Sequence, residues 1–248
     1  MFEKNSSIEN KVAIVTGGTR GIGRAVAARL LGEGARVAIC GTRQKSVDDA
    51  VDILTPEERV MGMVADVSKL EDVRRFVGAV QQQFGAIQIL VNNAGAGIFG
   101  SVADLTPEEW HRMIGINLTG AYYCCHEILP IFIQGGGGDV VNISSLAGKN
   151  AFAGGAGYNA SKFGLNGFSE AMMLDHRQAG VRVTTILPGS VDTEFGGSVL
   201  GSAQDNDATA WKIAPEDIAE IVVNVLRMPR RTTIGQVEVR PSRPPRKA

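Results

Sequence analysis

The sequence predicts an α/β fold, a doubly wound parallel sheet of about seven strands with helices on both faces. Three observations predict it. Short runs rich in Val, Ile and Ala alternate with longer helical patterns along the chain. The first such run passes straight into the glycine turn Thr16-Gly17-Gly18-Thr19-Arg20-Gly21-Ile22-Gly23 and then into a helical pattern. The 248 residues are 44% hydrophobic with 31 glycines, and nothing in their composition marks a boundary, so residues 1–248 read as one domain. Residues 1–9 and 241–248 read as extended termini.

Composition narrows the function classes. A formal net charge of -1 lacks the basic footprint of a dedicated nucleic-acid binder. Cys40, Cys124 and Cys125 form neither an even framework nor a C-x-x-C pair, and read as reduced thiols of a cytoplasmic protein. His111, His126 and His176 lie far apart without ligand spacing, so no metal is expected. The opening residues carry no apolar signal-peptide core, and no run reaches the ~18 apolar residues of a membrane span.

Lys11 to Val15 is the first strand. In the turn after it, Gly17, Gly21 and Gly23 let the backbone turn tightly and approach a pyrophosphate, whose charge the following helix N-terminus favours. The second strand, Arg36 to Cys40, ends in Gly41-Thr42-Arg43. An acid near this point bonds the ribose 2′-hydroxyl of NAD, whereas an arginine suits a 2′-phosphate. Arg43, with Arg20 as a second cation, therefore favours NADP(H) over NAD(H); the plainer reading makes both arginines solvated surface residues. A helix over Gln44 to Leu54 and a strand over Arg59 to Ala65 follow, with Asp66 at the strand end able to bond an adenine amino group. Next come a helix over Leu70 to Gln83, the strand Ile87 to Val91, and N-N-A-G, Asn92 to Gly95. These asparagines either brace neighbouring loops or touch a ligand.

Thr106-Pro107-Glu108-Glu109 reads as an N-cap, a proline in the first turn and acids set against the helix dipole, opening a long helix to Ile133. Asn117 in its middle is either a polar core bond or a functional kink, and helix grammar favours the first. With Tyr122, Tyr123, Cys124 and Cys125 the helix is too apolar for one side of a monomer and suggests a partner helix. A loop, Gly135 to Gly138, leads into the strand Val140 to Ile143. Val181 to Leu187 is a sixth strand, followed by Pro188-Gly189 and then by Phe195 to Ala210, whose composition suits a mobile lid. A last helix, Pro215 to Arg227, and a closing strand, Gly235 to Val239, precede a basic, proline-rich tail. Phe99, Leu146, Phe152, Val199, Leu200 and Trp211 are apolar candidates for a substrate pocket.

The chemistry concentrates between Ser144 and Lys162. Ser144 and Ser145 stand at a strand's C-terminal end, which in open α/β sheets faces the ligand crevice. Tyr158 and Lys162, at i and i+4, share one helix face. A cation beside a phenol favours the phenolate, so Lys162 is expected to lower the Tyr158 pKa. Such a tyrosine can give a proton to a carbonyl oxygen as hydride reaches the carbon, or take one from an alcohol in reverse. Ser145 can donate to the same oxygen as charge develops on it. Taken alone, the pair also reads as one aromatic and one solvated charge at helix spacing.

The glycine turn, Asp66-Val67, N-N-A-G, Asn117, Ser145, the Tyr158-to-Lys162 motif Y-N-A-S-K and Pro188-Gly189 occur in the order of the short-chain dehydrogenase/reductase family, which the chain resembles over about residues 8 to 240. The likeness is to its compact, Rossmann-like branch that includes 3-oxoacyl-acyl-carrier-protein reductases. The resemblance implies an NADP(H)-dependent carbonyl reductase or alcohol dehydrogenase, with hydride from the pro-S face of the nicotinamide. It makes Tyr158 the general acid/base and has Ser145 orient the substrate oxygen. Lys162 then bonds the nicotinamide ribose, and Asn117 holds a relay water. It assigns Gly17, Thr19, Arg20, Gly21, Ile22 and Gly23 to the pyrophosphate side, Thr42 and Arg43 to the 2′-phosphate, and Asp66 and Val67 to adenine. Asn93, Ala94 and Gly95 line the ribose, and Pro188, Gly189, Val191 and Thr193 the nicotinamide. A homo-oligomer, dimer or tetramer, is implied through the helices of Asn117 and Tyr158. The chain ends Q-V-E-V-R-P-S-R-P-P rather than in a glycine-rich strand, a departure from the acyl-carrier-protein reductases. A thioester reductase and a non-catalytic NADP(H)-sensing protein are the alternatives, the second at odds with a complete Asn-Ser-Tyr-Lys set.

Overall fold

A computed structural model describes residues 6–195 and 209–245, and in it the apolar runs become seven strands of one parallel sheet. In chain order the elements are β1 (Val12–Thr16), α1 (Gly21–Gly32), β2 (Arg36–Gly41), α2 (Gln44–Ile53), β3 (Val60–Val64), α3 (Leu70–Phe84) and β4 (Ile89–Asn92). They continue as α4 (Pro107–Ile114), α5 (Gly120–Gln134), β5 (Gly138–Ile143), α6 (Ala156–His176), β6 (Val181–Pro188), α7 (Pro215–Leu226) and β7 (Gln236–Val239). The sheet order is β3-β2-β1-β4-β5-β6-β7. Its winding reverses between β1 and β4, which opens a crevice outside the carboxyl ends of those strands.

The period of two along each strand divides the core between the faces. Ala13 and Val15 of β1 pack with Val26 and Leu30 of α1 and Ile218 and Val222 of α7. Val12 and Ile14 pack on the other side with Phe76 of α3, Ile128 of α5 and Met172 of α6. Each fully buried Val, Leu or Ile contributes about 1.5–3 kcal/mol.

Several expectations are corrected. The long helix is not uninterrupted: a π turn, Gly115–Thr119, joins α4 to α5, with Asn117 at its centre. Thr106 does cap α4, in a reciprocal capping box with Glu109. Cys124 and Cys125 point into the chain's own core, so they are not available to a partner helix; Tyr122, 46% exposed, is. Gly138 belongs to β5 rather than to the preceding loop, since it pairs with Val181 of β6, and it is glycine because a side chain there would overlap the Phe132 ring. Residues 6–9, the described part of the expected extended terminus, are docked on the domain: Ser6 donates from its amide to Arg227 O at 2.8 Å, and Ile8 is buried. Most of the expected lid, with Val199 and Leu200, lies outside the described residues.

The amino ends of β5 and β6, remote from the crevice, carry a buried ion pair. Arg182 Nε meets Asp139 Oδ1 at 2.6 Å. The other guanidinium nitrogens of Arg182 donate to the carbonyls of Leu226, the last residue of α7, and of Met228 just past it, and Arg230 adds a second cation on Asp139 at 3.0 Å. Orphan carbonyls at a helix C-terminus thus find charged donors, which a helix end needs when buried.

Candidate active site

β1 ends at Thr16, and the backbone then reverses through Gly17 (φ +61°) and Gly21 (φ +52°). Both lie in the left-handed region that favours glycine. Close packing is the second reason for glycine here. A Cβ on Gly17 would stand 2.9 Å from Ala94 Cα, and one on Gly23 would overlap Gly17 O and the Asn93 side chain. Asn93 donates from Nδ2 to Thr16 O at 3.0 Å and Gly17 O at 3.1 Å, while Thr16 Oγ1 accepts from the amides of Asn93 and Ala94 at 3.0 Å each. The bracing reading of this asparagine is therefore what its side chain shows.

The first turn of α1 has no side-chain cap and no acidic residue. Its free N–H groups and the bare glycine backbone make a cradle for an anion. Thr19 leans on Gly41 at the end of β2, where a Cβ would come within 2.7 Å of Thr19 Cγ2. This sets the glycine turn beside the exposed Thr42 and Arg43, with no acid at that strand end. Arg20 is already engaged: its Nη1 lies 2.6 Å from Glu194 Oε2, and Thr193 Cγ2 sits over Gly21. Asp66 accepts from Ser68 N at 3.0 Å and Ser68 Oγ at 2.7 Å, and Val67 packs against Gly120 at the start of α5.

Across the crevice, Ser145 and Tyr158 are held together by a polar clasp between the loop after β5 and helix α6. Asn159 Nδ2 donates to Ala147 O at 2.6 Å and Asn150 O at 3.2 Å; Asn166 Nδ2 donates to Gly148 O at 3.0 Å. Ser144, buried, donates to Asn166 Oδ1 at 2.6 Å, whereas Ser145 turns the other way, within hydrogen-bonding reach of Tyr158. Ser145 Oγ accepts from Ala147 N at 3.1 Å, which leaves its own proton free to donate. The clasp residues were missed as site residues by sequence reasoning. Their signal was asparagine inside a helix, where it is a poor former without a partner.

Asn117, 2% exposed, accepts from Ala96 N at 2.8 Å and donates to Ala96 O and Ser161 Oγ at 2.9 Å each. Both amide protons are used. The core-bond and kink readings are thus joined in one residue, which ties the loop after β4 to α6 and leaves no side-chain donor for a relay water.

Lys162, 4% exposed, lies 5.8 Å from the Tyr158 ring centroid and donates to Ile143 O at 2.9 Å. Burial lowers its pKa from 10.5 to about 8. Burial also raises the Tyr158 pKa, with Ser145 pulling it back. The expectation of a lowered phenol is corrected here, because desolvation of a phenol 8% exposed outweighs every other influence on it. Pro188 ends β6, with Gly189 packed between Leu146 and Pro241; Val191 bridges to Ile213, and Thr193 Oγ1 accepts from Phe195 N at 3.3 Å. Phe99 does stand by Tyr158, with Phe152 packed on Phe99, and Phe195, not anticipated as a pocket residue, also meets the Tyr158 ring.

The profile of short chain dehydrogenases matches residues 11–202, which contain this whole constellation except β7 and its surroundings. The chain belongs to the short-chain dehydrogenase family. Like its relatives in that family it is an oxidoreductase. An uncharacterized oxidoreductase of Staphylococcus aureus is 31% identical over 234 residues, 94% of this chain and 98% of the relative. An alcohol dehydrogenase of the archaeon Thermococcus sibiricus, solved with 5-hydroxy-NADP, superposes with a TM-score of 0.85 at 29% identity, covering 96% of this chain and 99% of that one. A metagenomic short-chain oxidoreductase solved with NADP gives a TM-score of 0.82 at 34% identity, covering 96% and 100%. Among the described residues, no helix is long and apolar enough to cross a membrane.

Proposed function

We propose that this short-chain dehydrogenase interconverts a carbonyl and a secondary alcohol with NADP(H), using Tyr158 as general acid/base. The observation that carries the reading is the buried Tyr158 phenol with Ser145 in reach and Lys162 beneath it, at the carboxyl end of the sheet. When bound, the reduced nicotinamide supplies hydride to the carbonyl carbon and is itself oxidised. Tyr158 gives its proton to the carbonyl oxygen, completing the alcohol, and Ser145 donates a hydrogen bond to that oxygen as negative charge builds on it. A protonated Lys162 would hold the ribose, and its positive charge favours the phenolate left on Tyr158 once the proton has gone. Asn117 acts as a positioning residue through Ala96 and Ser161, with both of its amide protons engaged.

The uncapped α1 and the bare glycines suit the pyrophosphate. Arg43 and Thr42, with Arg20, suit a 2′-phosphate, and the two structural relatives solved with NADP-type nucleotides favour the same choice. Asp66 and Val67 take adenine, and Asn93, Ala94 and Gly95 the ribose. Pro188, Gly189, Val191 and Thr193 take the nicotinamide. The exposed Tyr122, stacked near His126 and Phe168, offers an aromatic face of α5 to a second copy of the chain, an association that sedimentation velocity measures. The test of function is kcat/KM for a ketone with NADPH and with NADH. Preference for NADPH is expected; preference for NADH would remove the arginine argument.

A further inference from the structure

Three consecutive residues beyond β6 carry one ring into the site. Thr193 rests on the glycine turn, where a Cβ on Gly21 would stand 3.2 Å from Thr193 Cγ2. Glu194 pairs with Arg20 of the same turn, and the Phe195 amide donates to Thr193 Oγ1 at 3.3 Å. The segment is thus set against the nucleotide cradle, and its last side chain reaches the reaction centre.

There the Phe195 ring meets two surfaces. It is tilted at 52° to the Tyr158 ring, with centroids 5.7 Å apart. Its tip lies on the loop after β4: a Cβ on Gly97 would stand 2.8 Å from Phe195 Cε1, and one on Gly95 3.6 Å from Cε2, so at Gly97 only bare backbone admits the ring. Phe99 also meets Tyr158, edge-on at 5.6 Å, but it packs with the buried cluster of Met113 and Ala147. Phe195 lies outside the buried clusters and is 40% exposed, while the tyrosine it packs on is 8% exposed. It spans the step from the tyrosine to solvent.

We infer that Phe195 is a positioning residue for the proton transfer: its ring covers Tyr158 against water, so that the phenol meets Ser145 and the substrate oxygen in a site of low polarity. The inference rests on the proposed acid/base reading of Tyr158. Hydride from NADPH reaches the carbonyl carbon and the Tyr158 proton reaches the carbonyl oxygen; Phe195 takes part in neither bond. Water admitted beside the phenol would compete for its hydrogen bonds and weaken the hold of Ser145 on the developing oxyanion. Burial is the largest influence on the Tyr158 pKa and raises it, so removing cover acts in the opposite direction.

The experiment titrates Tyr158 in the nucleotide-free chain by tyrosinate absorbance, each variant minus the same variant carrying Tyr158→Phe. Phe195→Ala should move the titration down toward the ordinary value of 10.0, and Phe195→Leu, which keeps an apolar side chain in place, should restore most of the movement. Phe152→Ala removes a half-exposed ring that packs on Phe99, and should leave the titration where it is. A merely structural role for Phe195 would lower the melting temperature without moving this titration. With NADPH and ethyl acetoacetate, Phe195→Ala should lower kcat about tenfold, part of the ~10²–10⁴-fold worth of a positioned acid, and Phe195→Leu should recover it. The inference is overturned by a Phe195→Ala titration that stays with the parent or rises, by an equal fall in Phe152→Ala, by a Phe195→Leu that behaves as Phe195→Ala, or by a Phe195→Ala kcat within about threefold of the parent. The reductase reading survives each of these. Its own failure looks different: no turnover in the parent chain, or full turnover in Tyr158→Phe, removes that reading and this inference together.

Discussion

Arg20 of the glycine turn and Glu194 beyond β6 meet across the crevice at 2.6 Å, with Thr193 resting on Gly21 beneath them. The contact joins the pyrophosphate cradle to the nicotinamide side of the site, and it engages a cation that the proposed cofactor also needs.

A 2′-phosphate must therefore compete with Glu194 for Arg20. Glu194→Gln is expected to tighten NADPH binding by about two- to fivefold, the range of an exposed ion pair, and to leave NADH binding unchanged. Fluorescence titration with both nucleotides checks this. An equal effect on both would mean that Arg20 does not read the 2′-phosphate.

Tyr158→Phe removes one oxygen and keeps the ring that packs on Phe99 and Phe195. Turnover should fall by about 10²–10⁴-fold, the usual worth of a positioned acid/base, with NADPH affinity preserved. Turnover within about threefold of the parent would end the proton-transfer assignment.

The pH behaviour follows from burial. Burial holds Tyr158 above its ordinary value of 10.0, and the Ser145 hydrogen bond acts in the opposite direction. A difference titration at a tyrosinate absorbance, parent minus Tyr158→Phe, should place this phenol above the ordinary value of 10.0. Ser145→Ala removes the group that favours phenolate, so its titration should move to still higher pH. Because the folded pKa is raised, this group's contribution to stability is present below pH 10 and is lost as pH rises through the folded value. A downward movement in Ser145→Ala contradicts the sign.

Asp139 is nearly inaccessible and serves Arg182 and Arg230 together. Asp139→Asn leaves the buried Arg182 guanidinium without its carboxylate and should cost about 3–5 kcal/mol by denaturant unfolding. Residual folded protein should keep its ratio of NADPH to NADH activity, because the pair lies at the opposite end of the strands.

Much of the architecture was legible because strand and helix periods differ and because glycine, proline and threonine mark their boundaries. The glycine turn, the Ser-Ser doublet and Tyr158 with Lys162 at i+4 are local patterns, and the fold brings them to one crevice. What escaped was set by partners distant in sequence. Asn93 reveals its bracing role only when Thr16 and Gly17 come beside it, and Phe195 becomes a wall of the site only across from Gly97. The direction of the Tyr158 shift escaped for another reason: proximity of a lysine can be read from spacing, but the desolvation that outweighs it is a property of the packed interior.

The doublet at the end of β5 gives the two serines opposite duties, Ser144 toward Asn166 and Ser145 toward Tyr158. Their difference is one of parity, since consecutive side chains leave an extended backbone on opposite sides. Deleting a single residue just upstream would keep both hydroxyls in the chain and still present the wrong one to the crevice. In this chain the count of residues along β5, as well as their types, sets which hydroxyl meets Tyr158, and an inventory of residue types would miss such a loss.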